Sequence, residues 1–402
     1  MAMAGVTATA GAERIETLDA LRGFALLGIL LANILYWSGW IFRAPDQQLA
    51  FADAEVIAWQ YRFHHLLIDG KFYTLFSLLF GAGFALHIGR LAQRGADGIR
   101  IYRRRVLVLL GIGLVHSFLI WDGDILTLYA LLGLFLPFFY RLSERQLLIA
   151  AGVLIFLVPI AGVRLFEALG WAPYRHIYAF ADAIAQGLGA DTAPDKVLAW
   201  LQRDDLSGWA AWQGTGTLYS WGLRIETWRI PKVLGIMLIG LVAGRRLAAG
   251  TLIDDRGLMW RVLWAGLAVG VPGSLSYALT PGLGQDDWQS MVGTVPLALA
   301  YAAGFVLAWP QARSVLRHFA PVGRMALTNY LTHSLIGVVF FYGIGFGLAG
   351  ELHPPAFYAV ALAIFAAQVL FSRWWLSHHD QGPMEALWRR ATYAGMARSA
   401  GD

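Results

Sequence analysis

A histidine followed by two carboxylates has the clearest catalytic potential in this chain. His116 lies five positions before the polar connection Trp121-Asp122-Gly123-Asp124, about one and a half turns along a helix. A carboxylate that accepts a hydrogen bond from an imidazole orients the ring and makes it more basic. The spacing therefore predicts that His116, oriented by Asp124, acts as a general base on a hydroxyl or amine. The alternative is a histidine that only packs and hydrogen-bonds.

A second polar group interrupts the apolar stretch that begins near residue 63. His65 and Asp69 are four residues apart, which places them on one face of a helix. In Asp69-Gly70-Lys71 a glycine separates two opposite charges, and this pattern predicts a helix break where backbone groups line a polar cavity. A buried ion pair between Asp69 and Lys71 is the alternative. The chain has no HxxxH or HxH pair, so we predict no metal site.

Charged residues at the ends of apolar stretches are candidates for ligand binding, and they also indicate how the helices are oriented in the membrane. Asp19 and Arg22 are three residues apart and can pair on the first turn of a helix, although capping and anchoring explain them equally well. The cluster Arg103-Arg104-Arg105 suits the phosphates of a donor such as coenzyme A. The preference for basic residues on the cytoplasmic side of membranes explains the same cluster without a ligand.

The composition requires that membrane helices position these residues. Of 402 residues, 58% are hydrophobic and 14% are charged, whereas about 25% are charged in soluble domains. The excess apolar surface must face lipid, so the bilayer is the expected partner and no nucleic acid is expected. The absence of cysteine excludes a disulfide scaffold and thiolate chemistry. The N-terminus lacks a basic segment typical of secretory signals, so the first apolar stretch is expected to stay as a membrane helix.

Apolar runs of about 20 residues predict an all-α, polytopic bundle of about ten spans. We expect a single transmembrane domain at 17–393, between cytoplasmic tails at 1–16 and 394–402. The predicted spans are 18–41, 63–89, 106–121, 125–140, 146–165, 231–249, 258–279, 291–309, 324–348 and 356–376. The third and fourth spans form a tight hairpin around residues 121–124. Glycine-rich patches within spans, such as 81–84, are expected to let helices approach closely.

The distribution of basic residues predicts an orientation with both termini in the cytoplasm. Arginines concentrate in the loop 90–105, at 141–145, at 245–256, at 313–317 and in the C-terminal tail. The opposite short connections at 121–124, 281–287 and 349–354 contain no Lys or Arg. This alternation agrees with the count of ten spans, because cytoplasmic loops are enriched in basic residues.

A long connection at about 166–230 is predicted to lie outside and is rich in tryptophan. Long loops translocate largely regardless of charge. Tryptophans at this density are typical of helices that lie in the membrane interface. Membrane anchoring is one interpretation, and a lid over an outward-facing site is the other.

Five blocks of sequence resemble the YeiB family of polytopic membrane proteins. They run in the family's order from residue 17 to about 393, so that the resemblance covers nearly the whole chain. The blocks are TLDALRGFALLGILLAN (17–33), DGKFYTLFSLLFGAGF (69–84), HSFLIWDGDILTLYA (116–130), VGRMALTNYL (322–331) and QGPMEALWR (381–389).

The resemblance implies a fold related to transmembrane acyltransferases such as heparan-alpha-glucosaminide N-acetyltransferase. That group is thought to pass an acyl group from a cytoplasmic donor, typically acetyl-CoA, to an acceptor across the membrane, with a histidine involved. By this resemblance His116 matches the family's hairpin histidine, and Asp124 matches its carboxylate. Asp69 and Lys71 match its D-G-K element, while His65 resembles a histidine found in many relatives.

The sequence and the resemblance together favour an acyltransferase in a bacterial-type inner membrane, with acetyl-CoA or another acyl-CoA as donor. The expected acceptor is a small molecule, a glycan or a lipid, and a homodimer is possible by analogy. In this hypothesis Arg22 and Arg324 meet the donor with the arginines at 103–105. Asn33, Asn329 and Tyr330 are candidates to hydrogen-bond the acyl carbonyl. A transporter for a small metabolite or lipid precursor is the alternative, and a purely structural protein leaves the outer histidines and carboxylates unexplained.

Overall fold

The computed structural model describes residues 16–93 and 97–395, and throughout this part of the chain the secondary structure is helical. Most of the two predicted tails, and residues 94–96 of the basic loop, lie outside the described residues. Within the described residues no strand occurs, as the all-α prediction requires.

Short connections join most of the helices. In chain order the helices are α1 (Glu16–Trp37), α2 (Pro45–Phe51), α3 (Ala54–Phe63), α4 (Lys71–Gln93), α5 (Gly98–Leu119), α6 (Leu126–Gly133), α7 (Leu136–Phe139), α8 (Glu144–Gly152), α9 (Val158–Leu169), α10 (Pro173–Gly187), α11 (Pro194–Leu201), α12 (Leu206–Glu226), α13 (Arg229–Ala248), α14 (Arg256–Leu279), α15 (Trp288–Leu316), α16 (Ala320–Arg324), α17 (Ala326–Phe341), α18 (Pro354–His378) and α19 (Pro383–Tyr393). Single π-helical segments connect α3 to α4 (His64–Ile68) and α8 to α9 (Val153–Leu157).

Six helical segments of the described chain are long and apolar enough to cross a membrane, which makes the protein a multi-pass membrane protein. They include six of the ten predicted spans: Glu16–Trp37, Ala54–Leu91, Glu144–Leu169, Arg256–Leu279, Trp288–Arg324 and Pro354–His378. The other four predicted spans correspond to α5, to the pair α6 and α7, to α13 and to α17. These helices are shorter, or they carry several basic residues: α5 begins with a run of arginines, and α13 has basic residues at both ends.

The predicted fourth span, 125–140, is divided into two short helices. α6 ends at Gly133, and α7 begins at Leu136 with Pro137 in its first turn. Proline has no backbone N–H to continue the hydrogen bonds of the preceding helix, so the chain turns there. The hairpin itself is as predicted, because α6 packs back against α5.

Helix α13 lies at the centre of the bundle, between α4 and α8. Val233, Ile236 and Leu241 are completely buried in it. Small residues allow this packing: a Cβ on Gly81 of α4 would collide with the backbone carbonyl of Met237 in α13. The glycine patch at 81–84 therefore brings two helices into close contact, as predicted.

The predicted break at Asp69-Gly70-Lys71 is confirmed. The π-helical segment ends at Ile68, Gly70 has a φ of 77°, and α4 starts at Lys71. A left-handed backbone conformation favours glycine, because other residues are strained there. The break turns the polar groups of residues 69–71 toward the protein interior.

The predicted outer connection at 166–230 forms helices α10, α11 and α12. α12 packs against α10 and against the end of α5 that carries His116. Trp200 and Trp212 are buried in this arrangement, whereas Trp171 is exposed. The segment therefore covers one end of the bundle, and part of its tryptophan content is packed inside the protein.

Candidate active site

His116 and Asp124 are hydrogen-bonded to each other in the interior of the protein. His116 Nδ1 donates to Asp124 Oδ1 over 2.9 Å, and both side chains are fully buried. Helix α5 positions the histidine, and the short turn before α6 returns the carboxylate to it. The predicted pairing of these two residues is confirmed.

The second ring nitrogen of His116 has no hydrogen-bond partner. Because Asp124 accepts at Nδ1, the proton of the neutral imidazole lies there and Nε2 carries the free lone pair. His64, His87 and His333 also have an unpartnered ring nitrogen, and the hydrogen bond to a carboxylate distinguishes His116 from them. The Nε2 atom of His116 can accept a proton or attack an acyl group.

Several contacts hold Asp124 in place. Its Oδ1 accepts from Leu126 N over 3.0 Å, and its Oδ2 accepts from Thr127 N over 2.7 Å, at the beginning of α6. Carboxylates are favoured at such a helix start, where backbone N–H groups lack partners. Its backbone carbonyl accepts a hydrogen bond from the buried guanidinium of Arg224 in α12. Asp124 is thus positioned by two helices besides its own turn.

Tyr330 of α17 lies against the same histidine. Its ring centroid is 5.2 Å from that of His116, and its hydroxyl accepts a hydrogen bond from Ile125 N. Tyr330, predicted from sequence as a ligand-binding residue, therefore forms one wall of the site.

A cavity of about 370 Å³ extends from Tyr330 to a group of arginines. At the Tyr330 end it is lined by aromatic and aliphatic side chains of α4, α5 and α6, including Phe80, Leu109 and Tyr129. Its other end carries Arg22, Arg90, Arg105, Arg324 and Arg389. Helices α1, α4, α5, α16 and α19 contribute these arginines.

Of the arginines that were predicted to bind a donor, three line the cavity and two do not. Arg22, Arg105 and Arg324 line the cavity, and Arg22 also forms the predicted pair with Asp19, at 2.7 Å. Arg103 and Arg104 are not among the lining residues, and Arg103 points to the surface. They occupy other faces of α5, because successive residues of a helix point in different directions.

Sequence reasoning missed Arg90, Arg389 and His87, which also line the cavity. Arg389 ends the QGPMEALWR block, so the block itself was the signal. Arg90 is on α4, one turn of helix beyond His87, and was interpreted only as a topology signal.

The predicted residues His65, Asp69 and Lys71 form a second cluster, at the break between the π-helical segment and α4. His65 Nδ1 hydrogen-bonds to Tyr61 O over 2.8 Å, and Lys71 Nζ donates to His65 O over 2.6 Å. Asp69 accepts from Tyr277 at 2.8 Å and from Gln285 at 2.5 Å. The alternative of an Asp69–Lys71 ion pair is wrong, because Lys71 bonds to a backbone carbonyl instead.

Asn329 and Asn33 lie outside the cavity lining. The Asn329 amide donates to Val322 O over 3.1 Å and to Ser372 Oγ over 3.0 Å, so that it joins α17 to α16 and α18. Asn33 is half-buried in α1. In this structure neither amide is placed to contact a ligand in the cavity.

Asp122 is the second carboxylate of the hairpin and is also fully buried. Its Oδ2 accepts a hydrogen bond of 2.7 Å from Tyr36 Oη, and its Oδ1 has no partner. Burial raises the pKa of Asp122 to about 6, against the effect of the Tyr36 hydrogen bond. The carboxyl therefore titrates close to neutral pH.

Basic residues on the predicted outer side were a signal that sequence reasoning did not use. Arg224, Arg229 and Lys232 lie within nine residues where the outer segment enters α13. The short outer connections at 121–124, 281–287 and 349–354 lack Lys and Arg, whereas these three cations lie close together on the predicted outer side.

Relatives along the whole chain identify the family. YxaH of Bacillus subtilis (strain 168), an uncharacterized protein, is 31% identical over 97% of both chains. YeiB of Escherichia coli (strain K12), also described as uncharacterized, is 31% identical over 94% of this chain and 96% of its own. A 39.9 kDa protein from the amylase 3' region of Bacillus acidopullulyticus is 31% identical over 95% of this chain. The chain belongs to the DUF418 family of YeiB-like proteins.

The stretch that matches the family described as "Protein of unknown function (DUF418)" is 243–395. In this DUF418 protein it runs from the end of α13 to α19 and includes Arg324, Tyr330 and Arg389 of the cavity. His116 and Arg224 precede it, within the length shared with YxaH and YeiB.

Proposed function

We propose that this DUF418 protein is an integral membrane acyltransferase that uses His116 to move an acyl group from a coenzyme A-type donor to an acceptor on the outer side. One observation carries the proposal: His116 Nδ1 is fixed by Asp124, its buried Nε2 has no hydrogen-bond partner, and its ring packs against Tyr330, which lines the cavity. An imidazole that a carboxylate orients through one nitrogen and that is free at the other has the arrangement of a general base.

The cavity suits the shape and charge of the donor. Arginines bind phosphate groups in bidentate fashion, and five of them stand at one end of the cavity. The apolar end next to Tyr330 suits the acyl chain and its thioester. Tyr330 stands between the cavity and His116, so movement of its side chain would join the two.

The reaction balances with these groups alone. An acceptor hydroxyl or amine attacks the thioester carbonyl, and His116 Nε2 takes the proton of that group. A carbon–oxygen or carbon–nitrogen bond forms, the carbon–sulfur bond breaks, and the proton passes from the imidazolium to the departing thiolate. Asp124 stabilises the imidazolium between these two transfers.

The proposal includes a ten-span topology with both termini in the cytoplasm of a bacterial inner membrane. Helices α5, α6 with α7, α13 and α17 would complete the spans, because they pack among the six apolar segments. The arginine end of the cavity would then face the cytoplasm, where acyl-CoA is found, and the hairpin would lie toward the outer side.

Incubation of the detergent-purified protein with radiolabelled acetyl-CoA tests the activity. We expect label on the protein or on an added acceptor, and a fall of roughly 10²–10⁴-fold for His116→Ala, as for the loss of a general base. His353→Ala is the matched control, because His353 is exposed at the start of α18. Equal labelling of the wild type and His116→Ala would refute the proposal.

A transporter is the second candidate, and the broken helix at residues 69–71 favours it. Discontinuous helices with buried charges, as at Asp69 and Lys71, form substrate sites in many transporters. In proteoliposomes without coenzyme A, a transporter moves labelled metabolite across the bilayer, and an acyltransferase does not.

A further inference from the structure

Four cations lie near one another where the outer segment enters the bundle: Arg229 acts electrostatically on Arg224 and on Lys232, and Asp69 acts on both Lys232 and Lys71. Arg224 ends α12, Arg229 and Lys232 begin α13, and Lys71 begins α4. Lys71, Arg224 and Lys232 are at most 3% exposed, and Arg229 is half-buried. Buried cations are rare unless a partner compensates the lost hydration.

These cations form fewer hydrogen bonds than they have N–H donors. Lys71 Nζ donates to His65 O and Lys232 Nζ donates to Gln285 O over 3.1 Å, although each ammonium has three protons. Arg224 Nη1 and Arg229 Nε are buried without a partner. Among the described residues none of the four lies within 4.0 Å of a carboxylate oxygen as an ion pair.

Among the described residues no carboxylate forms an ion pair with the cluster, although Asp69 acts electrostatically on Lys71 and Lys232 from a greater distance. Asp69 is buried and accepts hydrogen bonds from Tyr277 and Gln285. Asp286 is exposed and acts electrostatically on Lys232. Asp124 is bound to His116 and to the backbone. Burial lowers the pKa of the Arg224 guanidinium to about 10 in spite of Asp124 and Asp122, which act in the opposite direction.

The Gln285 side chain occupies the space between these groups. Its Oε1 accepts from Arg229 Nη2 over 2.7 Å, and its Nε2 donates to Asp69. Gln285 lies in the connection between α14 and α15. The acceptor beside the Arg229 guanidinium is therefore a neutral amide oxygen from a loop.

The turn that brings the cations together is strained. Trp228, between α12 and α13, has a φ of 54° and is the residue other than glycine with a positive φ in the described chain. A residue with a side chain is strained in this conformation, and such residues cluster at functional sites. Trp228 lies between Arg224 and Arg229, whose guanidiniums act on each other electrostatically.

We propose that this cluster, Lys71, Arg224, Arg229 and Lys232, binds an oxyanion, namely a carboxylate or phosphate group of the acceptor. The two guanidiniums provide the main donors, and the Gln285 amide gives way to the anion. Arg224 also contacts the carbonyl of Asp124, so an acceptor bound here is held next to His116. The role as acceptor site rests on the proposed function, whereas anion binding does not.

Thermal unfolding in phosphatidylcholine nanodiscs, with inorganic phosphate titrated against chloride of equal ionic strength, tests the site. A ligand that binds the native state raises the Tm, so the titration yields an apparent Kd. We expect Arg229→Gln to weaken phosphate binding at least tenfold, as for a lost charge-assisted hydrogen bond. Gln285→Ala should strengthen binding, because it frees the donors of Arg229.

Two further variants separate this site from other sources of phosphate binding. Arg324→Gln reports on the arginine-lined cavity, and Arg256→Gln is the control at an exposed arginine. Loss of phosphate binding in Arg324→Gln only, with Arg229→Gln unchanged, would place the anion in the donor cavity and overturn the proposal. A lower Tm for Arg229→Gln with an unchanged Kd would show a structural role and overturn it as well.

Nanodiscs with phosphatidylglycerol distinguish the possible sources of the oxyanion. Competition by this lipid, seen as a weaker apparent Kd for phosphate, supports a lipid headgroup, and an unchanged Kd supports a soluble acceptor. No acyl-CoA enters the measurement. A failed acetyl-CoA labelling experiment therefore refutes the proposed function and leaves the anion site standing, and the reverse also holds.

Discussion

At the scale of residues, the two carboxylates of the hairpin differ in their hydrogen-bond partners and in their roles. Asp124 is saturated with donors, from His116, Leu126 and Thr127, and is therefore fixed. Asp122 has a single donor from Tyr36 and one oxygen without a partner. The first carboxylate orients the candidate base, and burial raises the pKa of the second to about 6.

Asp124→Asn tests the orienting role. The amide keeps an oxygen for the backbone donors of α6, but it no longer provides a negative charge for His116, so the imidazolium loses stabilisation. We expect kcat for acyl transfer to fall by roughly 10²–10⁴-fold, with KM for acetyl-CoA unchanged because the cavity is untouched. A rise in KM alone, measured by steady-state kinetics, would contradict the orienting role.

The raised pKa of Asp122 predicts that the free energy of unfolding depends on pH. Its folded pKa of about 6 lies above its ordinary value, so the folded state binds more protons between about pH 4 and 6. The free energy of unfolding therefore falls as pH rises through this window, by on the order of 3 kcal/mol for this group, and is constant above it. In Asp122→Asn this contribution should vanish, which Tm measurements from pH 4.5 to 7.5 would detect. A pH profile identical to that of the wild type would exclude the effect.

At the scale of elements, close contact between α4 and α13 organises both polar regions. α4 begins with Lys71 of the cation cluster and continues along the donor cavity with Phe80 and His87. α13 begins with Arg229 and Lys232 and runs parallel to α4 through the core. The small residues between these helices therefore determine the spacing of the two sites.

Two glycines of α4 form a matched test of that contact. A Cβ on Gly81 would meet the backbone of Met237, whereas a Cβ on Gly83 would have nothing within 4 Å. Gly81→Ala should lower stability by about 1–3 kcal/mol or more through overpacking. Gly83→Ala should leave stability unchanged or raise it by up to about 1 kcal/mol, since alanine favours helix. Size-exclusion profiles after heating in detergent compare the two, and equal losses would refute close packing as the cause.

At the scale of the whole molecule, the two polar regions lie on opposite sides of the proposed membrane orientation. The arginine end of the cavity takes basic residues from both ends of the chain, Arg22 in α1 and Arg389 in α19. The cation cluster lies beneath the segment formed by α10 to α12. A donor from one side and an acceptor from the other would meet near His116.

The absence of cysteine makes the topology directly testable. Single cysteines at exposed positions are expected to react with an impermeant maleimide in intact spheroplasts for Gln186→Cys and Glu351→Cys. Thr251→Cys and Ser377→Cys, also exposed, should react only after permeabilisation. Labelling of Thr251→Cys or Ser377→Cys from outside would contradict the ten-span orientation.

Features that depend on local chemistry could be predicted from the amino-acid sequence. Apolar runs predicted membrane helices, Gly70 between two charges predicted the break, and the separation of eight positions between His116 and Asp124 predicted their contact. Each of these involves neighbours along the chain, for which a helix or a short turn leaves few geometries. The distribution of Lys and Arg among the loops predicted a topology, because cytoplasmic loops are enriched in basic residues.

Which distant residues share a site became clear from the packing of the helices. Arg224 is 100 residues from Asp124, and the arginines of the cavity come from helices spread over the whole chain. Nothing local distinguishes Arg105, which lines the cavity, from Arg103, which faces outward, until the packing of α5 selects one face. Such contacts depend on how helices pack and on which buried cations lack a carboxylate, and these are properties of the assembled bundle.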